Sequence, residues 1–114
     1  MTLDQQTSFF ADLRKKLGGF SALPADWDTH GAGPISRRAV NGALRLLSLL
    51  EKKHIVPNAA IPTSEESILI RYDRGAEAFK WEFSSGGEVA FVRTHMDWRR
   101  EYVDIPPDFQ ELPA

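Results

Sequence analysis

Asp26, Asp28, His30, His95 and Asp97 are the residues whose types and spacing come closest to a chemical site. The run Asp26-x-Asp28-x-His30-Gly31 opens like a calcium loop, which takes oxygen ligands at positions 1, 3 and 5, glycine at 6 and a bidentate glutamate at 12. Here position 5 is His30 and position 12 is Arg37, whose charge would repel the ion, so no metal is assigned. The expected role is humbler: one of the two aspartates accepts backbone N–H groups within the loop. An enzyme would use His30 or His95 as a general base oriented by Asp28 or Asp97, but nothing in the spacing brings such a pair together. His30, His54 and His95 form no H-E-x-x-H or H-x-x-E-H motif. The neighbours Glu65 and Glu66 are expected to point apart. The chain also lacks G-x-S-x-G, a phosphate-binding glycine loop and a dinucleotide fingerprint. No catalytic residue and no cofactor is expected.

Two other groupings suit binding. On a helical wheel with Arg38 at zero, Arg45 lies near about -20° and Lys52 near about -40°, which aligns three cations on one face. Such a stripe could follow a phosphate backbone or simply be solvated. Leu49, at about 20°, sits inside the stripe with no evident core role. The second grouping is RTHMDWRR (93–100), where His95, Trp98, Arg99 and Arg100 combine an aromatic ring with cations, as interface hot spots do. The competing reading has Trp98 folding back to cap the sheet, with Arg99 and Arg100 pairing to Glu101 or the acidic tail.

The elements that must carry these residues are legible from periodicity. A first helix is expected over 3–17, with Thr2 and Gln5 as a capping box, Leu3, Phe10, Leu13 and Leu17 at helical spacing, and Gly18-Gly19 as a stop. Residues 21–35 read as an irregular connection. A second helix should begin at Ser36 as N-cap, with Ile35 and Val40 as a hydrophobic staple, and run to about His54 on its apolar side. After Pro62 the period becomes two. Strands are expected over 67–73 and 77–83, a third around Val89 and Phe91, and a possible fourth over 102–105, joined by short glycine-bearing links. The fold class is therefore α+β: two N-terminal helices on a three- to four-stranded antiparallel meander. Residues 1–105 form one domain, and 106–114 an acidic, proline-containing tail expected to be extended or frayed.

Composition bounds the rest. The 114 residues are 42% hydrophobic and 26% charged, with a net charge of -2 and no cysteine. This is the profile of a folded domain without disulfides or thiol chemistry. The apolar run at 46–50 is too short to span a bilayer, and Asp4 interrupts any signal-like start, so a cytoplasmic protein without membrane association is expected. Charge is polarised: net -1 over 1–33, +4 over 34–58 and -5 over 59–114.

The segment WDTHGAGPIS (27–36) resembles the GWDGYGA.PIS signature of an uncharacterised family of small bacterial and phage proteins. In that family it precedes an amphipathic helix and a β-meander. The likeness covers roughly residues 20–50 by motif and the remainder by element order. Asp26 stands where the family usually has glycine, and His30 where it has tyrosine. The resemblance implies a fold more than an activity. Physically, Gly31 and Gly33 would permit positive backbone angles and Pro34 would stiffen the run into Ser36, while Trp27 plugs the gap between helix and sheet and Asp28 secures the loop.

The chain thus reads as a non-catalytic module that binds another protein. The resemblance and small size imply an antitoxin-like, immunity-like or anti-defence inhibitor. The alternative is a nucleic-acid-associated regulator using Arg38, Arg45 and Lys52, and an uncovered sheet edge would also invite homodimerisation.

Overall fold

The computed structural model describes residues 1–113. Helix α1 (Leu3–Gly19) and a 3-10 turn (Phe20–Ala22) lead through a loop to α2 (Arg37–Lys52). Strands β1 (Ala59–Pro62), β2 (Ile68–Arg74), β3 (Glu77–Phe83), β4 (Val89–Thr94) and β5 (Arg100–Ile105) follow. They form one antiparallel sheet in sequence order, β1-β2-β3-β4-β5. The α+β class and helix-then-meander order hold, with five strands in place of three to four. β1 escapes periodicity because alanine and proline are poor strand formers, and Pro62 is tolerated only because the strand lies at an edge. Ala60, opposite Ile70, still contributes a buried side chain.

The helix signals operate as physical chemistry requires. Thr2 Oγ1 accepts from the Gln5 N–H at 3.1 Å, and Gln5 Oε1 accepts from the Thr2 N–H at 2.7 Å. Phe10, Leu13 and Leu17 are buried, but Leu3, a turn and more before them, remains exposed. α1 ends at Gly19, but not through a left-handed glycine. Gly19 keeps a right-handed φ of -70°, which carries Phe20 into the core before the chain turns away. Ser36 Oγ caps α2 through the Ala39 N–H at 3.2 Å, and the staple residues Ile35 and Val40 are both buried.

The far end of α2 corrects the expectation for His54. The N–H groups of Ile55 and His54 return to the carbonyls of Leu50 and Glu51 at 2.9 and 3.1 Å, the double bond of a Schellman turn. His54 therefore lies beyond the helix, exposed, with φ at +57°. Glycine is the residue that this position ordinarily takes.

The inner sheet face is aromatic. Strand alternation turns Ile68, Ile70 and Tyr72 of β2, Phe79, Trp81 and Phe83 of β3, and Val89 and Phe91 of β4 into the core. Phe79 stacks between Tyr72 and Phe91 at centroid distances of 5.1 and 5.7 Å. The Trp81 indole N–H donates to the Tyr72 hydroxyl at 3.1 Å, so the polar ends of two buried rings satisfy each other. Burial also pushes the Tyr72 phenol above its usual pKa. α2 approaches the sheet closely at Gly42, where an added Cβ would stand 2.7 Å from a Phe83 ring carbon.

The C-terminal tail is not frayed at its centre. Phe109 is buried, 5.2 Å from the Trp81 ring and 6.4 Å from Phe83, and the Arg45 guanidinium lies 5.8 Å from its centroid. The tail thereby closes the part of the inner face beside α2. Phe109→Ala should destabilise the fold by about 3 kcal/mol, as for other buried aromatics. A loosely attached tail would instead leave the denaturation midpoint unchanged. His54→Gly should relieve the left-handed strain and add roughly 1 kcal/mol, raising the melting temperature by about 4 °C. An unchanged or lower value would show that the exposed His54 Nδ1 contact to Gln6 Oε1, 3.2 Å long, outweighs the strain.

Candidate functional site

The loop between the helices is held by hydrogen bonds within itself and to the sheet. Asp28 Oδ1 accepts from the N–H groups of His30 and Ala32 at 2.9 and 3.0 Å, and Asp26 Oδ1 accepts from the Gly31 N–H. Both aspartates, rather than one, are thus engaged by backbone donors. The two donors to Asp28 hold its carboxyl below the usual carboxylate range, against the opposing effect of burial. Trp27 packs against the core and donates from its indole to the Gly33 carbonyl at 2.6 Å. The Gly33 N–H in turn donates to Glu66 Oε1 at 2.8 Å. Gly31 has the expected positive φ of 89°, but Gly33 does not; its missing Cβ instead makes room for the Glu66 carboxylate, 3.0 Å from where that Cβ would stand. Asp26 and Thr29 have positive φ values of 61° and 63°. Pro34 is exposed and leads into Ile35, whose N–H donates to the Phe20 carbonyl at 3.0 Å. Ser36 binds the β3–β4 turn through the Ser85 carbonyl at 2.8 Å.

The histidine dyads do not form. The Asp28 carboxylate binds the His30 backbone. His95 is aimed at glutamates instead of Asp97: Nδ1 lies 2.9 Å from Glu77 and Nε2 2.7 Å from Glu101. Arg93 joins this corner, 3.8 Å from Glu77 and 4.0 Å from Glu101, with its guanidinium over Phe79 at 5.4 Å and Phe91 at 5.9 Å. His95 therefore ties β3 to β5 across β4, and both ring nitrogens are engaged within the chain.

The proposed binding residues separate onto two layers. On α2, Arg38 runs along Gly87 and reaches the Gly86 carbonyl at 3.5 Å, while Arg45 covers Phe109. Leu49 packs against the core, which corrects its reading as a stray exposed leucine, and Lys52 is exposed at the helix end. Trp98, Arg99 and Arg100 lie at the β4–β5 hairpin, away from this helix. Arg99 pairs with Asp97 at 2.9 Å rather than with Glu101 or the tail. That pair is exposed and contributes little to stability. The Asp97 carboxyl is held below its usual range mainly by the Arg99 backbone N–H.

Trp98 does not cap the sheet: it is 82% exposed. Its backbone explains why. Three hairpin turns share one geometry, with closing bonds from Thr63 to Ser67, Ser84 to Glu88 and His95 to Arg99, all at 2.9 Å. The fourth residue of each turn is left-handed: Glu66 at 63°, Gly87 at 90° and Trp98 at 68°. Glycine is the easy occupant. Glu66 uses the position to reach the Gly33 N–H, whereas Trp98 holds a bulky ring in solvent.

Beside Trp98, the outer sheet face forms a groove of about 490 Å³. Arg71, Lys80 and Arg100 line it with Asp73, Thr94 and Tyr102, and Tyr102 is 71% exposed. Arg71 and Lys80 are direct cross-strand partners, as are Val92 and Tyr102, and Thr94 and Arg100. The sequence reading missed Arg71, Lys80 and Tyr102 as site residues. Their alternation with core residues was the available signal, but only the register sets them side by side. Comparison with protein-family models, curated proteins and solved structures finds no match.

The loop yields a pH prediction. A carboxyl depressed in the fold lends stability that is complete above its unfolded pKa and is lost as the pH falls through the folded value. Asp28→Asn should therefore melt below the native protein at neutral pH, with the gap narrowing in acid. A gap independent of pH would contradict this role.

Proposed function

We propose that this protein is a non-catalytic binding module whose outer sheet face takes an acidic segment of another protein. One observation carries the reading: Trp98 stands 82% exposed in a left-handed turn position that glycine fills in the equivalent β3–β4 turn. Strain of this kind is held at functional sites more often than elsewhere. A large ring flanked by Arg100 and Tyr102 has the composition of an interface anchor. Three cations against the single carboxylate of Asp73 favour a partner carrying negative charge. An inhibitor or immunity-type role is the form of such a module that the chain's small size suits. The helix-two stripe supports the nucleic-acid reading less, because Arg38 and Arg45 pack along the protein's own turn and tail.

Trp98→Gly separates function from folding. The variant should melt higher by about 4 °C, from roughly 1 kcal/mol of relieved strain, yet lose its partner. The assay is co-purification from a source-cell lysate split into nuclease-treated and untreated halves, beside Trp98→Gly and an Arg71→Glu/Lys80→Glu double variant. A stoichiometric protein that survives nuclease and is lost in both variants is expected. Equal capture by the variants would overturn this surface, and loss of all capture after nuclease would reassign the groove to single-stranded nucleic acid.

A further inference from the structure

The two edges of the sheet differ. β1 has four residues and ends in Pro62, a short edge of the kind that resists strand addition. β5 has six, contains no proline, and is exposed from Arg100 through Asp104, with Tyr102 71% and Val103 41% exposed. Its backbone polarity follows from the hairpin closure. The His95 N–H donates to the Arg99 carbonyl, so alternation makes Arg93–Glu101 and Phe91–Val103 the hydrogen-bonded pairs of the ladder. The N–H and C=O groups of Arg100, Tyr102 and Asp104 therefore point away from β4, toward the open edge.

We infer that this edge pairs with β5 of a second copy of the chain, antiparallel about Tyr102, to give a continuous ten-stranded sheet. Opposed residues in such a sheet must share a face, which leaves few registers. Placing Tyr102 opposite its own counterpart sets Arg100 opposite Asp104 of the second copy, and Asp104 opposite Arg100. Both ion pairs fall on the outer face, and all three outward-facing backbone sets find partners. Sliding two residues one way sets Glu101 against Glu101. Sliding the other way sets Arg100 against Pro106, which has no N–H to donate. Charge complementarity thus selects one register and one occupant. Within its own chain Arg100 faces Thr94, and Asp104 faces Ala90, so neither has an opposite charge across β4. Glu101, by contrast, is already held by His95. The pairing is isologous, as two-fold dimers require. It rests on the edge strand alone and does not depend on what the groove binds.

The purified protein alone tests this, by sedimentation or light scattering over a concentration series, with circular dichroism to confirm folding. The native chain should reach twice its monomer mass. Arg100→Asp and Asp104→Arg should each weaken self-association at least about tenfold, because each sets like charges opposite one another twice per dimer. Mixing the two single variants, or combining them in one chain, should restore the dimer. A native protein that stays monomeric would overturn the inference. So would a dimer indifferent to both variants, or single variants that do not recover on mixing.

Discussion

The close approach of α2 to the sheet at Gly42 is the contact on which the remaining architecture depends. With no side chain there, the helix backbone settles onto the Phe83 ring, and any Cβ would lie inside the contact distance. That depth lets Val40, Ala43, Leu47 and Leu50 reach the inner face. It also leaves a strip beside the helix into which the tail brings Phe109. Helix, sheet and tail therefore share one aromatic core centred on Trp81 and Phe83.

The helices, the tail and the Arg93–His95 corner occupy the inner face, which leaves the outer face and the β5 edge exposed. The division is physical rather than incidental. Inner-face polar groups such as Arg93 and His95 are partly buried, and a partly buried polar group needs partners, which Glu77 and Glu101 supply. Outer-face cations such as Arg71 are exposed to solvent and need no such partner. The same logic removes Arg45 from the free stripe on α2, since its guanidinium is drawn over the ring that the tail delivers.

The hairpins show how one backbone solution serves different ends. All three turns demand a left-handed residue, and the local cost depends on what fills it. Gly87 fills it without strain, beneath the Arg38 side chain. Glu66 fastens the inter-helix loop to the sheet by accepting from Gly33. Trp98 instead holds its ring in solvent beside the cationic groove.

The sequence alone determined the parts governed by short-range rules. The Thr2 and Ser36 caps, the Ile35–Val40 staple, the period-two run over Glu77–Phe83 and the order of helices before strands each arise from residues a few positions apart. β1 was illegible because Ala59, Ala60 and Pro62 form a strand only when Arg71, Ile70 and Ile68 offer an edge to pair with. Leu49, Phe109, His95 and Trp98 were misplaced or left open for a related reason: each fate is set by contacts far along the chain. A wheel angle cannot show that Leu49 meets the core. Composition cannot show that an acidic tail carries a core residue, or that His95 faces glutamates rather than its neighbour Asp97. The groove needed the register of β2 through β5, because Arg71, Lys80, Arg100 and Tyr102 come from three separate strands. Local sequence sets which backbone shapes form; only tertiary packing decides which side chains are buried in the fold and which stay exposed.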